Sequence, residues 1–239
     1  MPSVSIARRA QIAVAVACVL AIGAMLRYPG GTALDVTTRG YSLSRNFLSD
    51  LGMTVAYNHE ANRLGAALFV ASLLLLVIGL GTAGATIGRF LAMDAASRPW
   101  ARLAGIALVA ACGAFVGVAV TPENRLMSLH VSFTNWAWRT VPAIGVFLGL
   151  ASRIGGRVRS RAAFTWFGAA LLLAGYAVSL NWGPSVVQQP GGLMVLVIAQ
   201  KAAAVVLIAA LLIAASEVDR ASEASTLTAA GSDSGVRAG

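Results

Sequence analysis

Residues 64–87 read LGAALFVASLLLLVIGLGTAGATI, 24 positions without a single charged side chain. A helix rises about 1.5 Å per residue and the hydrocarbon core of a bilayer is about 30 Å thick, so this run crosses a membrane with some tilt to spare. The rest of the chain is built the same way. Of its 239 residues 58% are hydrophobic and 11% charged, and mean hydropathy is +0.77, a composition that excludes an ordinary soluble domain.

Working outward from 64–87, the same reading finds five more runs, at 10–26, 103–121, 128–152, 162–182 and 193–216. The fold class expected is therefore all-α, a polytopic bundle of six transmembrane helices forming one membrane domain over 1–216. A cleaved signal peptide is the rival reading of 10–26, but the run is long for that role and no clean small-x-small site follows it. A lipoprotein reading of Cys18 is weaker still. The last stretch, 217–239, is rich in Ala, Ser and Gly with scattered charges and reads as a disordered tail. Cys18 and Cys112 both fall inside apolar runs, which supports neither a disulfide framework nor a thiolate metal site.

The net charge of +9 is accounted for by where the cations sit. With a cytoplasmic amino terminus, Arg8, Arg9, Arg89, Arg98, Arg102, Arg153, Arg157, Arg159, Arg161, Arg220 and Arg237 fall on the cytoplasmic side, eleven in all, against Arg27, Arg39, Arg45, Arg63 and Arg125 outside. That asymmetry is the positive-inside bias of a cell-membrane protein with both termini in the cytoplasm, and it leaves nothing for nucleic acid to explain. It also puts the longest connection, 27–63, on the external face, together with the turn at Glu123 and the loop holding Gln188 and Gln189.

Within that connection lies the one polar, patterned segment of the chain, YSLSRNFLSDLG at 41–52. At helical periodicity Leu43, Phe47, Leu48 and Leu51 share one arc while Ser42, Arg45, Asn46, Ser49 and Asp50 share the other, so a short amphipathic helix at the membrane surface is expected, stopped by Gly52. Span four adds a polar stripe, Ser128, Ser132, Asn135 and Arg139, with His130 and Thr134 on the other side of the helix. Arg139 and Lys201 fall inside spans, where a cation costs about 2.5 to 3.5 kcal/mol at bilayer centre, so each is expected to face the bundle interior or a wet cavity. Small residues four apart, Gly113 with Gly117 and Gly145 with Gly149, are expected to let two different neighbouring helices approach closely.

The segment YSLSRNFLSDLG, Asn62 at the start of the second span, and TPENRLMSLH before the fourth together resemble the domain-of-unknown-function 998 family of prokaryotic multi-pass membrane proteins. The resemblance runs over roughly residues 10–215 and is most specific at Ser49 to Gly52 and at Pro122, Glu123 and His130. It implies a six-helix membrane fold and no particular activity.

Three function classes follow from the residues. The first is binding or movement of a lipid or other anionic amphiphile through a site opening on the external face, with Arg45, Asn46, Ser49, Asp50, Glu123, His130, Asn135, Arg139 and Lys201 as candidate ligand-binding residues. In its sharpest form, Arg139 clamps the anion through two hydrogen bonds and Lys201 acts as a point charge. The second is an intramembrane hydrolase with Ser49 as nucleophile and His130 supported by Asp50 or Glu123, or a metal held by those groups. The third is a structural or accessory membrane subunit with no small ligand. No phosphate loop, dinucleotide fingerprint, haem-ligand pair or zinc motif is present, so no cofactor or metal is expected, and membrane lipids are the expected partners.

Overall fold

A computed structural model of the chain describes residues 5–156, 160–186, 189 and 191–236. Among them are six α-helices: α1 Ile6–Arg27, α2 Arg63–Leu91, α3 Arg98–Val120, α4 Glu123–Gly155, α5 Ser160–Trp182 and α6 Gly192–Val236. All but α4 are long and apolar enough to cross a membrane. Arg157, Arg159, Gln188, Pro190 and Arg237 lie outside the described residues.

Local chemistry sets the helix ends. The Ser5 hydroxyl caps the Arg8 amide at the start of α1, and Tyr28 followed by Pro29 closes its end. Pro99 occupies the first turn of α3, where its missing N–H costs nothing. Gly156, at φ +64, supplies the left-handed residue that stops α4.

Consecutive helices pack against each other, and α6 closes the bundle against α1 and α2. The Ile6 and Ala7 amides at the start of α1 donate to the Asp219 carboxylate of α6, at 3.1 and 2.9 Å. The start of α1 and this part of α6 therefore lie at the same end of the bundle. The main core joins Ile87 and Leu91 of α2, Leu148 of α4, Trp166 of α5 and Ala215 of α6, and a smaller one at the opposite end joins Ala24, Tyr28, Leu51, Ala56 and Phe69. Ile78, Ile106, Val109 and Leu171 stand exposed on the outside, an apolar surface of the kind that faces lipid.

The small residues divide. A Cβ on Gly117 would lie 2.4 Å from the Phe133 ring of α4, and one on Gly145 would lie 3.0 Å from Ala170 and from the Trp166 carbonyl of α5. A Cβ on Gly149 would meet the Phe167 ring at 2.7 Å, whereas Gly113 has nothing within 4 Å. The expected pairs thus serve different neighbours, but Gly113 takes no part.

Three expectations are corrected. The segment 41–52 is not an amphipathic helix: it is a run of turns ending in one 3-10 turn at Ser49–Gly52. The two expected arcs are also mixed, with Asn46 and Asp50 buried alongside Leu51 and Leu43 65% exposed. The Ser128, Ser132, Asn135 and Arg139 face of α4 turns outward, and Arg139 is exposed rather than directed into the bundle. The opposite face carries Ala137, Trp138, Val141 and Ile144 and has the greater claim to the core, while the donors of the stripe bond nearby and Asn135 Oδ1 is left buried with no partner among the described residues. Ser132 donates to the Ser128 carbonyl, Asn135 to Val131, and the Arg139 guanidinium reaches Asn181 near the end of α5 at 2.6 Å. Finally, α6 continues as helix beyond Ser216 into the stretch expected to be a disordered tail. The Asp219 carboxylate tethers this extension to α1, and Glu217 pairs with Arg220 at 3.4 Å.

Candidate functional site

The site is built on the 41–52 segment, and the side chains of Asn46 and Asp50 explain why that segment abandons the helix. Asn and Asp offer the backbone alternative partners at close range. Asn46 Oδ1 accepts from the Ser42 amide at 3.0 Å, and its Nδ2 donates to the Gly31 carbonyl at 3.0 Å and to Asp50 Oδ2 at 2.9 Å. The same Oδ2 accepts from the Phe47 amide at 3.0 Å. The Tyr41 hydroxyl donates to the carbonyls of Asn46 and Phe47. Both hydrogens and the oxygen of the buried Asn46 amide are hydrogen-bonded, which makes it the hub of the fold in this region.

Helices then clamp the segment from outside. The Leu48 amide donates to Gln200 Oε1 at 2.7 Å, and Lys201 Nζ donates to the Asn46 carbonyl at 2.6 Å while sitting 5.4 Å from the centre of the Tyr41 ring. Asn62 donates to the carbonyls of Leu51 and Met53, tying the 3-10 turn to the start of α2. Gly31, at φ +81, passes so close to Asn58 that a Cβ would lie 2.4 Å from its amide nitrogen. Only glycine fits there.

Close enough to this hub to act on Asp50 through its charge is a second, partly buried acid, Glu123. Glu123, in the first turn of α4, is reached by the Tyr57 hydroxyl at 3.4 Å and faces His130 Nε2 at 3.9 Å. His130 Nδ1 meets the Thr121 carbonyl at 2.7 Å; a carbonyl only accepts, so Nδ1 carries the hydrogen. Among the described residues, His130 Nε2 and Asp50 Oδ1 are both buried without a hydrogen-bond partner. Burial pushes the Asp50 carboxyl up to about 8, and the nearby negative charge of Glu123 adds to the rise. Glu123 is raised by its own burial, with His130 pulling the other way. The phenols of Tyr28, Tyr41 and Tyr57 all rise, through burial first and then the charge of Asp50.

Beneath the segment runs a cavity of about 200 Å³. All six helices line it, and Leu48, Ser49 and Leu51 cover one end, so the 41–52 segment is its cap. Leu76, Leu108, Trp138 and Leu207 are typical of the wall. Polar groups are few: Ser72 is bonded to the Ala17 carbonyl, Gln200 to Leu48, and Thr134 Oγ1 is buried without a partner.

Of the nine candidates, the structure groups Asn46, Asp50 and Lys201 at the cap and brings Glu123 and His130 alongside through their charges. Ser49 lines the cavity. Arg45 stays exposed on the far side of the cap, and Asn135 and Arg139 belong to the outward face of α4. The two intramembrane cations therefore do not converge. Among the described residues no hydrogen bond joins Ser49 to His130, and no group of three or more His, Cys, Asp or Glu side chains is placed to hold a metal. Sequence reasoning missed Tyr28, Tyr57 and Gln200; the tyrosines at or near span ends were the available signal, whereas Gln200 had none beyond standing next to Lys201.

No protein-family model matches the chain, and no curated protein and no solved structure matches it.

Proposed function

We propose that this is a six-span protein of the cell membrane that binds or moves an amphiphile, whose hydrocarbon part occupies the central cavity beneath the 41–52 cap. One observation carries the reading, the apolar cavity of about 200 Å³ lined by every helix. An apolar cavity of about 150 Å³ in a soluble protein stays dry and takes up benzene. At about 24 cal/mol per Å³, contents that restore the missing contacts are worth on the order of 5 kcal/mol, comparable to the whole stability of a small domain. A hydrocarbon chain supplies those contacts, and water does not.

α4 supports the sixth crossing. It is less apolar than its neighbours, but the bonds from the start of α1 to Asp219 of α6 put those two helix segments at one end of the bundle, which favours a sixth crossing over five. The cation count favours termini in the cytoplasm and the cap outside. An anionic headgroup draws support from Lys201 alone, and it would have to displace the Asn46 carbonyl to reach it.

A phospholipid carrying a diazirine in its acyl chain tests this reading. Photolysis in vesicles should label Leu76, Leu108 and Leu207 within the cavity. Labelling confined to the outward residues Ile78, Ile106 and Val109 would leave the protein as a structural or accessory subunit.

A further inference from the structure

We propose that Asp50 and Glu123 form a proton-binding site that latches the cap: with a proton held there the 41–52 segment stays seated over the cavity, and loss of the proton releases it. The inference rests on the reading of the cavity as the binding site and names what regulates access to it.

Asp50 is 1% exposed, its Oδ2 accepts from Asn46 and Phe47, and its Oδ1 is buried with no hydrogen-bond partner among the described residues. An unpaired carboxylate oxygen in such a place carries the full desolvation penalty, which protonation of that oxygen removes. The titratable groups that bear on it come from every side. Tyr28 stands at the end of α1, Tyr41 and Tyr57 in the loop, Glu123 on α4 with His130 behind it, and Lys201 on α6. Lys201 is the one cation among them, and its ammonium is committed to the Asn46 carbonyl. Among the described residues Asp50 thus has no direct ion pair with Lys201, and the partly buried Glu123 bears on it through its charge. His130 has already given its Nδ1 hydrogen to Thr121, so only Nε2 faces Glu123.

The direction of the pH effect follows from linkage. The seated Asp50 holds its proton up to about pH 8, whereas a water-exposed carboxyl releases it near 3.8. Seating is therefore favoured most below the exposed value. It weakens by up to about tenfold per pH unit as pH rises between the two, and it levels off above the seated value. Glu123, raised in the same direction, adds to the slope.

Hydrogen exchange of the full-length protein in nanodiscs tests the latch. The amides of Asn46, Phe47, Leu48, Asp50, Leu51 and Met53 are all hydrogen-bonded in the seated cap. After correction for intrinsic exchange, their protection should fall at least tenfold between pH 5.5 and 8. Asp50→Asn keeps an oxygen for Asn46 and Phe47 and mimics the protonated acid, so its protection should be high and independent of pH. Glu123→Gln, which removes the neighbouring charge, should show a reduced slope even if Asp50→Asn does not fold. A pH-independent parent, or parental slopes in the variants, would overturn the latch. Amphiphile retention measured on the same samples is a separate readout: its absence alongside an intact pH slope overturns the cavity reading and leaves the proton site standing.

Discussion

Lys201 Nζ and the Asn46 carbonyl, 155 residues apart in the chain, meet at 2.6 Å, so a cation from the wall of the bundle holds down the backbone of its cap. A hydrogen bond with one charged partner contributes about 1.5 to 3 kcal/mol. Lys201→Met should therefore lower the exchange protection of amides 46–53 by roughly tenfold to a hundredfold while leaving α5 unchanged. If protection falls equally in both regions, the lysine supports the whole bundle rather than the cap.

Gly113 and Gly117 look identical as a spaced pair, and the structure separates them. Gly117→Ala forces a methyl group into the Phe133 ring and should cost about 1 to 3 kcal/mol, read as a lower melting temperature in detergent. Gly113→Ala meets open space and should be within about 0.5 kcal/mol of neutral. Equal losses in the two variants would contradict the α3–α4 packing described here.

Much of the fold was legible because an uncharged run such as 64–87 has few physical solutions, and because caps such as Ser5, Pro99 and Gly156 act locally. The candidate site was legible only in part. Asn46 and Asp50 stood out as polar residues in an apolar chain, but their periodicity suggested a surface helix. The partners that prevent one, Gly31 and Gln200, are long-range and leave no periodic trace. Arg139 misled for a related reason. Its cost at bilayer depth argued for the interior, but its long stem lets it reach Asn181 near the end of α5, which no spacing rule shows. The cavity is a property of the gaps between six helices, and no single stretch of sequence encodes it.

Orientation is tested by labelling single cysteines in intact cells, in a background with Cys18 and Cys112 replaced. A cysteine at Glu60, exposed on the loop that carries the cap, should react with a membrane-impermeant maleimide. One at Ile154, exposed at the opposite end of α4, should react only after permeabilisation. The reverse pattern would put the cap in the cytoplasm and turn the latch towards the wrong compartment.

Native mass spectrometry of the protein extracted in mild detergent reads the occupancy of the cavity. The parent should carry one hydrocarbon-bearing amphiphile per chain. Ala204→Phe, which projects a ring from α6 into the cavity, should lose that mass while keeping its melting temperature within a few degrees. A folded parent that carries no amphiphile, or an Ala204→Phe variant that retains it in full, would contradict the cavity as the binding site.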